Sequence, residues 1–382
     1  MAFDEYIIGI DASRNRSGGA KIHLIGILNE LIPEEYGIKE IHVWSYPELL
    51  SSLPKKNWLI KHSPTELSKS VIMQLLWQKF TFPKELKNNK CNLVLNTDGG
   101  TVCKYKPSIT MSRDMLSYEP GEMDRYKYGK SWLRLLLLKY IQNASFRTST
   151  GVIFLTNYAA SVIQQSCGTL KQISIIPHGV SKEFSTQKLL SRWPENITNS
   201  EIKCVYVSNT APYKHQWMVI EAIKKLRIQG YNITLTLVGA EGRAHYLVEE
   251  ALVNFDGAEF VTFLGHVDTN KLPKIIANFN IFIFASSCEN MPNTLVEAMS
   301  VGLPIACSNR GPMPEVLGDG GVYFDPENIE SIQQSIKIIV LNKHLREQIA
   351  FKAKEKSSQY SWKRCANETF SFVIKVLKDN NQ

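Results

Sequence analysis

Residues 286–299 read Ser286-Ser287-Cys288-Glu289-Asn290-Met291-Pro292-Asn293-Thr294-Leu295-Val296-Glu297-Ala298-Met299. An apolar, β-type run over 281–285 leads into this stretch. The spacing of Leu295, Val296, Ala298 and Met299 predicts a helix opening at Asn293 and Thr294. Glu289 then falls in the loop above the strand end, and Glu297 about one turn into the helix. Such a helix start offers backbone N–H donors to an anion such as a phosphate. Two carboxylates flank it, and carboxylates accept hydrogen bonds from hydroxyls. A phosphate set between hydroxyl-bearing groups describes a sugar nucleotide. The same residues also fit a plainer arrangement: a solvated loop glutamate, and a first-turn glutamate favoured by the helix dipole.

Working outward, the second half of the chain alternates apolar strand patterns with helical ones. Strands are predicted at 205–208, 233–238, 261–264, 281–285 and 304–307. Helices are predicted around Val219, Ile220, Ile223 and Leu226, at about 270–278, and at 294–301. Gly320 to Pro326 closes the sheet. From 328 on the pattern is helical, with one stripe at Ile329, Ile332, Ile336 and Ile339 and another at Phe370, Phe372, Val373, Val376 and Leu377.

The first half has the same alternation. A strand at 6–10 ends in Asp11, a loop follows with the pair Gly18 and Gly19, and a helical pattern then runs through Ile22, Ile25, Leu28 and Leu31. Further strands are predicted at 41–45, 91–96, 108–112, 151–155 and 173–176, with helices around 67–80 and 126–145. This order predicts an α/β protein of two Rossmann-like, doubly wound domains, each a mostly parallel sheet with helices on its faces. The expected boundaries are an N-terminal domain over 1–180, a linker over 181–201, a C-terminal domain over 202–360 and a last helix over 361–382. Ligands of such sheets gather at the carboxyl ends of the strands. The loops to read are therefore those at 97–100, 113–120, 177–180, 209–215 and 239–243.

Composition agrees with a folded, two-domain chain. It has 382 residues, 44% hydrophobic and 21% charged. Seven cysteines are scattered without any Cys-x2-Cys pair, so neither a disulfide framework nor a zinc site is indicated, and a reducing cytosolic setting is expected. The start, Met-Ala-Phe-Asp-Glu, has no basic region before an apolar core, and no run has the length of a membrane span. Net charge is +8. Residues 1–195 hold 25 Lys+Arg against 17 Asp+Glu, and the remainder 19 against 19, so all the excess lies in the first half. That balance suits an anionic membrane or an anionic substrate. No long basic run or RNA-binding signature points to nucleic acid.

Several residues admit two readings. Gly18 and Gly19 suit either close backbone approach to a ligand or a plain tight turn. No Gly-x-Gly-x-x-Gly follows the first strand, which argues against a dinucleotide enzyme. Asp98 lies in Asp-Gly-Gly, first of all a turn signal, and is also a candidate acceptor contact. Around 126–145, Leu133, Leu136, Leu137, Tyr140 and Ile141 form one stripe, with Lys127, Lys130, Arg134, Lys139 and Arg147 nearby. This is either a core-packed helix with a solvated basic face or a helix lying on an anionic bilayer.

Glu289-x7-Glu297, followed by Ala298-Met299-Ser300-Val301-Gly302-Leu303-Pro304-Ile305, resembles the donor-site signature of the retaining, GT-B-fold glycosyltransferases of family 4, of the bacterial polysaccharide and O-antigen type. The resemblance is strongest over 203–326, moderate over 108–180 and weak over 1–107. It implies two domains facing across a cleft, with the last helix crossing back to the first. It implies that Glu289 contacts the donor sugar, that Glu297 holds the ribose hydroxyls, and that Asn290, Met291, Pro292, Asn293 and Thr294 lie near sugar and diphosphate. It implies that Gly18 and Gly19 face the diphosphate and that Lys214 reaches it, a role suited to a flexible cation.

The chain departs from the family pattern in two places. Asn209 stands where the family has an arginine, and Arg243 is the candidate replacement. Ser112-Arg113-Asp114 stands where the family often has a first-domain histidine, which makes Arg113 and Asp114 candidates for the first-domain catalytic partner, while a loop ion pair or a helix-capping aspartate fits the same residues equally well.

No Asp-x-Asp metal signature appears, so no cofactor and no metal are expected beyond the nucleotide-sugar co-substrate. The implied reaction is transfer of a hexose-type sugar to a lipid-linked or oligosaccharide acceptor in cell-surface glycan synthesis. The implied place is the cytoplasm, with peripheral contact at the inner membrane leaflet as an alternative. Two other readings stand beside it: a sugar-nucleotide epimerase on the same fold, and a non-catalytic nucleotide-sugar-binding partner subunit.

Overall fold

A computed structural model describes residues 5–16, 18–126, 129–194, 197, 200–253 and 260–380. It divides into two compact units: Met1–Gly179 with Ser361–Gln382, and Val180–Tyr360.

The first unit holds seven parallel strands: β1 (Tyr6–Asp11), β2 (Ile38–Trp44), β3 (Leu59–His62), β4 (Leu93–Asn96), β5 (Ser108–Met111), β6 (Gly151–Phe154) and β7 (Ile173–Ile175). Their spatial order is β3-β2-β1-β4-β5-β6-β7. Strands covered on both faces read as continuous apolar runs, and every residue of β4, β5 and β6 is buried. Asp11 pairs in register with Trp44 on one side and with Asn96 on the other. That alignment sets the carboxyl ends of the central strands level, at the point where the chain leaving β1 continues toward β2 and the chain leaving β4 toward β5, in opposite directions along the sheet.

The first helix, Gly18–Glu30, begins at the paired glycines, so these are its opening residues and not a free loop. Its buried stripe is Ala20, His23, Leu24, Ile27 and Leu28. The expected stripe through Ile22 and Ile25 is therefore rotated by about one residue: those two are half-buried, and the neighbouring elements cover the adjacent face instead. β3 was not expected from the sequence. It is a four-residue edge strand whose Leu-Ile-Lys-His offers no clean alternation. The region predicted as one helix over 67–80 is instead a broken series: Val71–Leu76, a π-helical turn Trp77–Thr81, and Phe82–Asn88. Trp44, Leu67, Trp77, Phe82, Leu86, Cys91 and Val94 cluster beneath it. Glu85 accepts from Trp44 Nε1 at 2.6 Å and from Trp77 Nε1 at 3.0 Å, so both indoles are buried with their donors satisfied.

The helix expected over 126–145 runs Lys130–Thr148, and Lys127 lies outside the described residues. Its core-facing side is Leu135, Gln142, Ser145 and Phe146. Leu133, Leu136, Leu137 and Tyr140 are exposed, so that stripe is not core packing. The last helix, Trp362–Asn380, belongs to the first unit and buries Phe370, Phe372, Val373, Val376 and Leu377. Arg364 Nη2 also donates to Pro177 O at 3.2 Å.

The second unit holds β8 (Ile202–Val207), β9 (Ile233–Val238), β10 (Val261–Phe263), β11 (Ile281–Phe284), β12 (Ile305–Ser308) and β13 (Val322–Phe324). They form a parallel sheet in the order β10-β9-β8-β11-β12-β13. The helix His245–Val253 between β9 and β10 was not anticipated. Residues 181–194 carry a short helix, Lys182–Thr186, with Phe184 buried. Both Leu190 N and Ser191 N donate to Ala277 O. No helix among the described residues is long and apolar enough to cross a membrane.

β9 is followed directly by Gly239, whose φ of +149° favours glycine and whose added Cβ would lie 2.1 Å from Ser208 O. Backbone cannot yield as a side chain does. Gly239→Ala is therefore expected to cost about 3 kcal/mol, lowering Tm by on the order of 10 °C. A melting curve close to that of the unchanged protein would refute the close packing of these two strand ends.

Candidate donor site

In the second unit the strand order reverses between β8 and β11. Such a switch point leaves a crevice at the carboxyl ends of the two strands. Two loops rim it. The loop after β8 runs through a 3-10 turn, Pro212–Lys214, to the helix Gln216–Ile228. The loop after β11 runs from Ala285 to the helix Asn293–Val301, which opens after Pro292.

Side chains and backbone tie the loops together. Ser287 N donates to Tyr213 O at 2.8 Å. His215 Nε2 and Ser287 Oγ are 2.9 Å apart. Tyr206 OH donates to Lys214 O at 2.7 Å, and Thr294 Oγ1 to Val207 O at 3.1 Å. His215 adopts φ +47°, a left-handed conformation that turns the chain sharply into the next helix. These contacts fix where Lys214 and Glu289 point.

Lys214 Nζ and Glu289 Oε1 form an ion pair, with side chains only 11% and 15% exposed. The ammonium also lies 5.5 Å from the Phe284 ring centroid and 5.1 Å from that of Tyr213. Asn290, Met291 and Pro292 are buried behind Glu289, with Asn293 and Thr294 at the helix start. Glu297 lies further along the helix, and its Oε2 is buried without a hydrogen-bond partner. Burial pushes the Glu297 carboxyl up to about 8. A buried acceptor with nothing to accept from is costly to keep unless a ligand supplies the donor.

Arg243 is exposed on the segment after β9. That segment rests against the β8 loop: Gly242 N donates to Thr210 Oγ1 at 2.5 Å and Ala244 N to Thr210 O at 2.9 Å. The structure thus places Lys214, Glu289 to Thr294, Glu297 and Arg243 at one end of one sheet.

Gly18, Gly19, Arg113 and Asp114 belong to the first unit, at the carboxyl ends of β1 and β5. Arg113 Nη2 donates to Gly19 O at 2.9 Å, which joins the loop after β5 to the first turn of the Gly18–Glu30 helix. Its Nη1 lies 3.4 Å from His23 Nδ1. Burial lowers the guanidinium to about 10, with Asp98 opposing that shift. Burial also pushes the Asp114 carboxyl up, against its hydrogen bond from Leu116 N at 2.9 Å.

Sequence reasoning did not single out His23. It stacks on His178 at 4.5 Å between ring centroids and sits 3.7 Å from Cys365 Sγ. Burial holds it well below the usual imidazole range, followed in effect by His178 and Arg113, so it is neutral beside the guanidinium. A histidine one turn into an apolar helix carries no sequence mark of such packing. Among the described residues, no three His, Cys, Asp or Glu side chains group to hold a metal ion.

The loops, the ion pair and Glu297 all lie in a segment that matches one family model, glycosyl transferases group 1, over residues 187–356. Residues 187–356 form a glycosyl transferases group 1 domain. The chain is 26% identical over 168 residues to O-antigen chain mannosyltransferase B of Escherichia coli, a match spanning 44% of each protein. It therefore spans less than half the length of that relative.

Similar solved structures cover nearly the whole chain. Sucrose-phosphate synthase from Thermosynechococcus elongatus aligns with 98% of this chain and all of its own, at TM-score 0.75 and 13% identity. Anabaena HepE in complex with UDP aligns with 96% of this chain and 99% of its own, at TM-score 0.70 and 17% identity. The group 1 domain and the first unit are thus the two parallel-sheet, Rossmann-like domains of a GT-B fold.

Proposed function

We propose that this protein is a retaining, metal-independent glycosyltransferase of family 4. It moves a hexose-type sugar from a nucleotide-sugar donor to a lipid-linked or polysaccharide acceptor in cell-surface glycan synthesis. The observation that carries this reading is the Lys214–Glu289 ion pair in the same domain as Glu297, whose Oε2 is buried without a hydrogen-bond partner, at the switch point of the group 1 domain. The O-antigen mannosyltransferase relative and the UDP-bound structural neighbour support the same class of chemistry.

In this reading the ribose hydroxyls donate to Glu297 and the sugar hydroxyls to Glu289. Lys214 exchanges its partner Glu289 for the donor diphosphate. As the bond from anomeric carbon to phosphate oxygen breaks, positive charge develops on the sugar and negative charge on the leaving oxygen. Lys214 and the start of the Asn293–Val301 helix stabilise that oxygen, in place already and aimed at the charge that grows. Retention rests on the family resemblance, and metal independence on Lys214 acting as the cation. Arg113 and Asp114, beside Gly18 and Gly19, are the first-unit candidates for contact with reacting groups. The proposed place of action is the cytoplasmic side of a membrane, with peripheral contact and no nucleic-acid partner.

A donor screen tests this. Nucleotide release is followed with GDP-mannose, UDP-glucose, UDP-galactose and UDP-N-acetylhexosamines, each with and without a polyprenyl-phosphate-linked sugar acceptor. The expected result is release that depends on the acceptor, with one donor favoured at least tenfold or so over the rest. Interconversion of donor sugars without acceptor extension would replace this reading with an epimerase. Nucleotide binding without any turnover would replace it with a non-catalytic subunit.

A further inference from the structure

The structure pairs Lys214 Nζ with Glu289 Oε1, and both side chains are largely buried. With the donor reading above, on which this inference rests, the same two groups serve different parts of one ligand. The ammonium takes the diphosphate and the carboxylate takes sugar hydroxyls. Each group must therefore leave the other when a ligand enters. A buried charge that loses its partner is costly to keep unless another group replaces it.

The surroundings treat the two partners unequally. The ammonium lies 5.1 Å from the Tyr213 ring centroid and 5.5 Å from that of Phe284, so it keeps favourable contacts when the carboxylate departs. The hydroxyls on the elements that carry the pair are already engaged. Tyr206 OH donates to Lys214 O at 2.7 Å and Ser286 Oγ to Cys288 O at 3.2 Å. Ser287 Oγ donates to Tyr213 O at 3.3 Å and Thr294 Oγ1 to Val207 O at 3.1 Å. None of these four turns to Glu289 without giving up its own bond.

We infer that the Lys214–Glu289 pair makes the site selective for a complete sugar nucleotide over the nucleoside diphosphate alone. A free diphosphate takes Lys214 and strands Glu289. A sugar nucleotide draws Lys214 to its phosphates and brings Glu289 hydroxyl donors in the same event. The two contacts are thus coupled, and each half of the ligand raises the affinity for the other. A buried polar group left unpaired is also what rejects an analogue lacking the hydroxyl it needs. After transfer the nucleoside diphosphate remains without its sugar, and the re-forming pair competes with the phosphates for Lys214. That favours product release, a step that limits many enzymes.

The experiment is calorimetric titration of the full chain with UDP, GDP, UDP-glucose and GDP-mannose, without acceptor. It compares the unchanged protein, Glu289→Gln, and Glu289→Gln combined with Lys214→Met. Glu289→Gln is expected to bind UDP or GDP roughly tenfold more tightly than the unchanged protein does, because the ammonium no longer has to leave a carboxylate. Its preference for the matching sugar nucleotide over that diphosphate is expected to fall toward none. Glu289→Ala is expected to show the same gain, and adding Lys214→Met is expected to abolish it. Thermal melts establish that each variant is folded. Diphosphate binding that is unchanged or weaker in folded Glu289→Gln would overturn the inference while leaving the donor site in place. A gain that survives Lys214→Met would overturn it too, since plain repulsion between Glu289 and phosphate would then be the cause. No binding of any of the four nucleotides by the unchanged protein would remove the donor site itself, and the inference with it.

Discussion

Lys214→Ala is expected to lower sugar transfer by about 10²–10³-fold, the size of effect seen when a preorganised donor to developing negative charge is removed. The same substitution should also destabilise the second unit. Lys214 is the cation paired with Glu289, and both side chains are largely buried. Truncating one partner strands the other charge, at a cost of roughly 3–5 kcal/mol for a fully buried pair and less for one that water still reaches. The two effects separate in a double variant. Lys214→Ala with Glu289→Ala removes the stranded charge, so melting temperature should recover most of the loss while transfer stays low. Thermal melts and nucleotide release on the unchanged protein, each single variant and the double variant check this. Transfer by Lys214→Ala within a few-fold of the unchanged protein would remove the ammonium from the chemistry.

Glu297→Gln is expected to abolish a pH dependence of stability and to weaken nucleotide binding. Burial raises the Glu297 carboxyl from 4.5 to about 8. The folded state therefore binds this proton more tightly than the unfolded chain does. Between about pH 4.5 and pH 8 the folded form carries the proton and the unfolded form has lost it, so stability falls as pH rises through that window. The slope approaches 1.4 kcal/mol per pH unit where the two states differ by a full proton. Glutamine keeps the shape without the titration, so its curve should be flat by comparison across the same range. A bound nucleotide whose ribose hydroxyls donate to this carboxyl favours its ionised form. Affinity should therefore rise toward pH 8 in the unchanged protein and lose that rise in Glu297→Gln. Calorimetric titration with UDP and GDP at several pH values measures it. An unchanged pH profile in the variant would show that Glu297 is not the titrating contact.

The site and the fold were legible in the sequence to different depths. The strand ending at Phe284 and the helix opening at Asn293 follow from a short apolar run and a 3.6-residue period, both local properties. The spacing of Glu289 and Glu297 across that turn is equally local. Their environments are not. That Glu289 meets Lys214, 75 residues earlier, depends on β8 and β11 being neighbours in the sheet. That Glu297 Oε2 is buried without a partner depends on what packs around the helix. Arg113 against Gly19 and His23 is again a product of strand order, since β5 and the helix after β1 are far apart in sequence.

Two α/β halves of parallel strands, with a carboxylate pair bracketing a strand-to-helix turn, follow from the amino-acid order alone. These are properties of periodicity and spacing, and they survive any choice of packing. Tertiary structure alone decided which side of each helix is covered. The Leu133–Tyr140 stripe has the period of a core face and lies in solvent, while Leu135, Gln142 and Phe146 are turned inward. Periodicity reports that a helix has an apolar side. Only the neighbouring elements determine whether that side meets protein, and here the sheet takes the other face.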